Sequence, residues 1–164
     1  MQINKHGGFT LIELLLYIIL AVIVLTAVSA LFFLLLQTQA KNQTIAEVEQ
    51  QGMQIMQIIT QKIRNAAIIN TPIQGTSSIS LSIEAAPIIF DESNGILRIT
   101  ENGITTPLTS SRLIVSNLNF YNLSLTATPG IIRISFTLTR ANPEGKNEFE
   151  YSKTFYGSAS LRNL

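Results

Sequence analysis

The 164-residue sequence contains no cysteine and only one histidine, His6. Without cysteine the chain has no disulfide, no thiolate metal site and no nucleophilic thiol, and it is compatible with any redox compartment. His6 lies in a short polar segment at the start, so the rest of the chain lacks the residue needed for a Ser-His-Asp site, a Cys-His site or a histidine-ligated zinc. We therefore expect no catalytic residues and predict that the protein is not an enzyme.

Charged residues are also scarce, at 13% of the chain, and the formal net charge is +1. No run of basic residues is present, and no basic stripe alternates with aromatic residues, so the charge pattern does not indicate a nucleic-acid partner. The sequence has neither a Walker loop nor a Gly-x-Gly-x-x-Gly motif. We expect no cofactor.

No proline precedes Pro72, and Gly52 is the only glycine between Phe9 and Ile69. An uncharged apolar run extends from Leu14 to Leu36. About 23 residues at about 1.5 Å of helical rise span about 35 Å, which is enough to cross a hydrocarbon core of about 30 Å. Residues 9–36 are therefore predicted to form a transmembrane helix.

An acidic residue, Glu13, directly precedes this run. A carboxylate costs about 2.5–3.5 kcal/mol at the centre of a membrane helix and less at its end. The preceding residues are polar and end in Gly7 and Gly8, whereas a secretory signal places its small-residue cleavage site after the apolar region. Cleavage after Gly8 would leave the helix in place and create an amine on Phe9 that could pair with Glu13. Residues 1–8 are thus predicted to be a leader peptide, although Glu13 could instead stay hydrated at the membrane interface.

The segment from Gly8 to Glu13, with the apolar helix behind it, resembles the N-terminal signature of type IV pilins and type II secretion pseudopilins. The resemblance implies that a prepilin peptidase cleaves between Gly8 and Phe9 and methylates the new amine of Phe9. It also implies that Glu13 pairs with the Phe9 amine of a neighbouring subunit when subunits stack into a filament. The partners implied are other pilin or pseudopilin subunits, the peptidase and the inner-membrane assembly platform.

The resemblance and Lys5 together give an expected topology. A positive charge before the helix favours a cytoplasmic N-terminus, which places the C-terminal domain outside the cytoplasm. We therefore expect a single-pass protein of the cytoplasmic membrane that is later assembled into a pilus or pseudopilus. Major pilins often carry a helix-breaking proline in the membrane half, and its absence here predicts a straighter helix.

Residues 37–70 are predicted to continue the helix as an amphipathic segment. Apolar residues recur there in steps of three and four, which indicates one buried stripe that packs on the C-terminal domain. Thr71-Pro72 should end the helix, because the residue before proline is disfavoured in helical conformation. The stripe consists of Ile45, Val48, Gly52, Ile55, Ile59, Ile63 and Ala66.

Residues 71–164 are predicted to form a globular domain of short antiparallel strands separated by turn signals. Asn102-Gly103 is typical of a type I′ turn. The fold class is therefore predicted to be α+β, with a long N-terminal helix packed against an antiparallel β domain in the lollipop shape of a pilin. The predicted strands are Ser78 to Glu84, Pro87 to Phe90, Ile96 to Thr100, Ile104 to Thr106, Arg112 to Val115, Leu118 to Leu125, Ile131 to Arg140 and Phe149 to Ala159, with a turn at Asp91 to Gly95.

Asp91, Glu92 and Asn94 could form a small oxygen cage for Ca²⁺. Their spacing does not match an EF-hand loop, and acidic turns are usually solvated. We predict no metal site.

A looser resemblance to minor pilins and minor pseudopilins, including the pseudopilin J class, covers short segments of the β domain. It implies a minor, tip-associated structural subunit of a type IV pilus. One alternative is a minor pseudopilin of type II secretion, and another is a signal-anchored extracytoplasmic binding or enzyme domain that needs neither cleavage at Gly8 nor Glu13. The segments are Gly95 to Arg98, Pro107 to Thr109, Leu118 to Phe120 and Ser160 to Asn163.

Overall fold

The chain divides into two compact units, Met1–Gln39 and Ala40–Leu164. The computed structural model describes residues 10–126 and 129–162. The helix α1, Leu11–Asn65, contributes residues to both units. The second unit adds the antiparallel strands, which confirms the α+β fold class.

In the first unit, α1 is long and apolar enough to cross a membrane. Its large apolar side chains from Leu11 to Leu36 are all exposed. Such a surface is stable only in lipid or against other helices, so its composition agrees with the predicted transmembrane segment.

In the second unit, the predicted amphipathic stripe of α1 is buried. Val48, Ile59 and Ile63 have no exposed surface at all. Ile45 is only half-buried, and the adjacent Thr44 is buried instead. The Thr44 hydroxyl donates to the Ala40 carbonyl at 3.0 Å, so its burial leaves no unpaired polar group.

The helix ends at Asn65, which corrects the predicted end at Asn70. Residues Ile69–Thr71 instead form strand β1. Glu84 holds this segment extended, because its carboxylate accepts from the Ala67 amide at 2.8 Å and its carbonyl accepts from the Asn70 side chain at 2.6 Å. Pro72 disfavours a helical conformation at Thr71. Thr71 meets this restriction as the last residue of β1, so the proline does not need a helix to end there.

Nine strands are found in the described residues, and they form two antiparallel sheets. Sheet A has the order β1-β3-β4-β5-β6, and sheet B has the order β2-β7-β8-β9. After β1, the strands are β2 Ser77–Ser78, β3 Leu81–Ile83, β4 Ile88–Ser93, β5 Ile96–Glu101, β6 Ile104–Pro107, β7 Leu113–Asn122, β8 Ile131–Arg140 and β9 Ser152–Ser160.

The single strand predicted at Ser78–Glu84 is wrong, since that segment contributes to both sheets. Ser78 pairs with Phe120 in sheet B, and Leu81 pairs with Phe90 in sheet A. The Ser78 hydroxyl accepts from the Ser80 amide at 3.1 Å, and this local turn breaks the strand between them.

The hairpin turns lie close to their predicted positions. Asn102 and Gly103 have φ of 51° and 79°, as a type I′ turn requires, and Glu101 pairs with Ile104. The predicted turn at Asp91–Gly95 shortens to Asn94-Gly95, because the residues from Asp91 to Ser93 belong to β4.

In sheet B, β7 joins two strands that were predicted separately. Its pairing with β8 shifts register between Ser116 and Asn119, and Asn117 there has φ of 52°. This β-bulge lets one strand continue through the irregularity. Strand β8 has its predicted bounds.

Strand β9 begins at Ser152, which corrects the start predicted at Phe149. A 3₁₀ turn occupies Asn147–Phe149. The Lys41 ammonium donates to the carbonyls of Asn147 and Glu150 and so fixes this turn against α1.

Ion pairs add to the contacts between α1 and the sheets within the second unit. Glu47 pairs with Arg140, Glu49 pairs with Lys153 at 2.6 Å and Lys62 pairs with Glu101 at 2.5 Å. The core lies between α1 and the two sheets, and its largest fully buried side chains are Phe90, Phe120 and Phe136.

Candidate assembly site at the start of the helix

The first described residue, Thr10, directly precedes α1. Its carbonyl accepts from the amides of Glu13 at 3.1 Å and Leu14 at 3.2 Å. The second of these bonds is the first α-helical one, which makes Thr10 the residue that caps the helix start. The predicted cleavage and methylation residues, Gly8 and Phe9, lie outside the described residues.

Glu13 lies in the first turn of α1 and is exposed. An acidic residue there interacts favourably with the helix dipole, by about 0.3–1 kcal/mol. In residues 10–126 and 129–162 Glu13 has no ion-pair partner, and the ion pairs between these residues all lie in the second unit. Its carboxylate is therefore available to a cation from outside the described residues.

Glu13 shares a helix face with an aromatic and a small residue. Tyr17 and Ala21 follow it in steps of four, which places the three on neighbouring turns of one face. A shallow groove beside this face is lined by Leu14, Tyr17, Ile18 and Ala21. Small residues at such positions allow close approach of a second helix.

Two threonine hydroxyl groups farther along the exposed helix are hydrogen-bonded by the helix itself. Thr26 donates to the Ile23 carbonyl at 2.9 Å, and Thr38 donates to the Leu34 carbonyl at 2.9 Å. Side chains bonded in this way need no further partner in hydrocarbon. Glu13 is the only acidic residue between Phe9 and Leu36, and no cation of the described residues pairs with it.

A comparison with family models decides the assignment of this region. Residues 3–29 match the prokaryotic N-terminal methylation motif. The chain carries the signature of type IV pilins and pseudopilins. The methylation motif includes Gly8, Phe9 and Glu13, and it ends inside the exposed helix, so it does not extend to the β domain. Comparisons with curated proteins and with solved structures gave no match.

The acidic turn of Asp91, Glu92 and Asn94 is occupied by contacts within the protein. Arg98 donates to both oxygens of the Asp91 carboxylate, at 3.1 and 2.7 Å, and Asp91 thereby raises the pKa of Arg98. Glu92 accepts from the Gly95 amide at 2.6 Å, and Asn94 occupies the turn with φ of 54°. These contacts stabilise the β4–β5 hairpin.

Sequence reasoning found Glu13 but missed a second feature, a groove on the β domain between α1 and β9. Met53 and Tyr156, which lie far apart in sequence, both line it. Each is 61% exposed or more despite its size. A methionine on the otherwise polar face of α1 was the only sequence signal that could have indicated it.

Proposed function

We propose that the chain is a minor, tip-associated structural subunit of a type IV pilus. In this proposal it is held in the cytoplasmic membrane until a prepilin peptidase cleaves between Gly8 and Phe9. The observation that supports it best is the methylation motif at residues 3–29, which leads into an exposed apolar helix with an acidic residue in its first turn.

The proposed mechanism is a transfer of the helix from lipid to a bundle of helices. In lipid the carboxylate of Glu13 is costly, even near the end of the helix. In the bundle it pairs with the methylated amine of Phe9 from a neighbouring subunit, which remains cationic after methylation. Attraction between opposite charges is strong where water is excluded, so this pair sets the stagger between adjacent subunits.

The shape of the apolar helix supports close packing in such a bundle. Ala21, Ala27 and Ala30 provide small surfaces on an otherwise bulky helix, where a neighbouring helix can approach. The helix continues without proline from Leu11 to Asn65, which supports a minor subunit rather than a major one.

The proposed topology has the N-terminus in the cytoplasm and the β domain outside it. Lys5, before the helix, supports this orientation through the preference of positive charge for the cytoplasmic side. The partners would be other pilin subunits, the peptidase and the inner-membrane assembly platform.

A minor pseudopilin of type II secretion is the second candidate, because the methylation motif at residues 3–29 is common to both classes. Co-purification distinguishes them: a pilus subunit would be recovered in sheared surface filaments, whereas a pseudopilin would stay with the cell envelope.

The test is the intact mass and the N-terminal residue of the protein after co-expression with a prepilin peptidase. The expected product begins at Phe9 and is heavier by one methyl group. Gly8→Leu serves as the control, since a bulky residue at the cleavage site should leave the chain beginning at Met1. A wild-type chain that still begins at Met1, while a known prepilin is cleaved in the same cells, would overturn the proposal and favour the signal-anchored alternative.

A further inference from the structure

Strand β9 lies at the edge of sheet B. The Arg140 amide donates to the Tyr151 carbonyl at 2.9 Å, and the Leu161 amide donates to the Gly130 carbonyl at 2.8 Å. Hydrogen-bonded residues alternate along an antiparallel pair. The backbone N–H and C=O groups of Thr154, Tyr156 and Ser158 therefore point away from β8. These backbone groups make no hydrogen bond to any described residue.

The other edge strands have features that hinder strand addition, whereas β9 does not. Strand β6 ends in Pro107, β1 has an irregular register and β2 has two residues. Natural sheets usually limit pairing at an edge by such means. The register of β9 with β8 is uninterrupted, and the charge of its one lysine, Lys153, is paired with Glu49.

A groove runs beside this edge on the side that α1 covers. It encloses about 630 Å³, and Met53, Met56 and Phe155 provide apolar side chains. Met56 lies against Gly157, where an added Cβ would be 2.5 Å from the sulfur. Methionine side chains adapt to different apolar partners, so this surface suits a side chain from an incoming strand.

The charged side chains at the groove are positive. Arg64 lines it, and Arg162 lies beside Arg64 at the end of β9. Both residues are exposed, and neither forms an ion pair with a described residue. Among the described residues, no acidic one lines this groove or the neighbouring cavity that Arg64 and Arg162 share. A carboxylate at that end of an occupant would complement the two guanidinium groups.

A second copy does not fit this edge in an antiparallel pairing. Helix α1 lies over β9, with Gly52 against Phe155 and Met56 against Gly157. Two β9 strands would be about 4.8 Å apart, and their helices would be on the same face of the joined sheet. Packed helices need about 8–10 Å between their axes. The occupant must therefore have no helix of its own over the added strand.

We propose that the β9 groove binds an extended segment of a partner protein by strand addition. The segment has apolar side chains at alternate positions, which contact Met53 and Met56, and a carboxylate beside Arg64 and Arg162. A tail or a long loop can form such a strand, because it can lie beside β9 in the groove next to α1 without a helix of its own over the strand. This binding does not depend on cleavage at Gly8, so it stands or falls separately from the proposed function.

The test uses the full chain in detergent micelles and the N-acetylated peptide Thr-Val-Thr-Val-Thr-Val-Asp with a fluorescent label. Binding is measured by anisotropy, and amide exchange is followed by NMR. We expect a Kd below about 1 mM and slower exchange at the amides of Thr154, Tyr156 and Ser158. The absence of binding at about 1 mM, or protection elsewhere only, would overturn the proposal.

Two pairs of variants isolate the hydrogen bonds and the charge. Ser158→Pro removes an outward donor but no bond to β8, and it should weaken binding by about tenfold or more, whereas Ser158→Ala should not. Arg64→Glu should weaken binding of the same peptide more than Arg133→Glu, which changes an exposed arginine on β8.

Several outcomes would contradict the proposal. Equal binding by Ser158→Pro and Ser158→Ala would contradict strand addition, even if Arg64→Glu weakens binding more than Arg133→Glu. Should Ser158→Pro fail to fold, the arginine pair decides alone, and equal binding there would overturn the proposal. Dimers that form through β9 and exclude the peptide would overturn it as well.

Discussion

Gly52 of α1 lies directly against the ring of Phe155 in β9. A Cβ added at Gly52 would be 2.0 Å from Cζ of Phe155, much closer than real atoms approach. Both residues are buried, and Phe155 also stacks on Phe136 with ring centroids 5.4 Å apart. The only glycine in α1 is therefore required by packing, and it lets the helix lie close to sheet B.

Gly52→Ala should destabilise the second unit. An alanine would favour the helix by about 1 kcal/mol, but overpacking against Phe155 costs about 1–3 kcal/mol. We expect a lower unfolding temperature, measured by circular dichroism in micelles. Phe155→Leu in the same chain should recover part of the loss, because it makes room for the methyl group. A single variant more stable than wild type would show that Phe155 moves aside without cost.

Glu13→Ala should block incorporation into filaments and leave membrane insertion intact. Alanine removes the carboxylate that the neighbouring Phe9 amine would pair with, and it makes the helix more apolar. Membrane fractionation and the yield of sheared filaments measure the two effects. Glu13→Gln, which keeps the shape without the charge, should behave like alanine. Normal filament yield from both variants would contradict a role for Glu13 in setting the stagger.

The stability of the second unit should fall at acidic pH partly through Glu49. Lys153 donates to its carboxylate at 2.6 Å, and this hydrogen bond is the main reason that the pKa of Glu49 lies below the ordinary 4.5. The stabilisation is therefore present above pH 4.5 and is lost as the pH falls through the lower pKa of the folded state. Both side chains are partly exposed, so the effect is small and decreases with salt.

Thermal unfolding of wild type and Glu49→Gln across this pH range measures that effect. The two unfolding temperatures should converge as the pH falls below 4.5. Glu150→Gln, which alters an exposed carboxylate just before β9, should give no such convergence. A constant difference between wild type and Glu49→Gln would show that the ion pair contributes nothing.

Gly103→Ala should destabilise the β5–β6 hairpin through backbone strain alone. Gly103 has φ of 79°, and no atom lies within 4 Å of the position of an added Cβ. We expect a loss of about 1–2 kcal/mol, since an L residue in the left-handed region costs about that much. Asn102→Gly at the preceding position should be tolerated, because glycine adopts positive φ freely. Chemical denaturation compares the two, and an equal loss in both would point to a side-chain contact of Asn102.

The local features of this chain were predictable from its sequence. The Asn102-Gly103 turn, the extent of β8 and the buried stripe of α1 each depend on residues that are neighbours in sequence. Glu13 was likewise recognisable, because a carboxylate beside a long apolar run is exceptional wherever the rest of the chain folds.

The features that depend on distant partners were not predictable. The helix end at Asn65 is fixed by Glu84, and the break after Ser78 assigns neighbouring residues to different sheets. Periodicity shows which face of a strand is apolar but not which strand it pairs with. The β9 groove is formed only when Met53 and Tyr156 come together, so no local pattern could reveal it.

The contact between Gly52 and Phe155 also joins two parts of the chain that are synthesised far apart in time. Glu49 and Lys153, which pair close to that contact, are 104 positions apart in the chain. The buried stripe of α1 is made early, and its cover by the sheets stays incomplete until β9 has been synthesised. Contacts of such long range slow folding and leave apolar surface exposed meanwhile. We therefore expect the newly made chain to depend on chaperones until its last strand is in place.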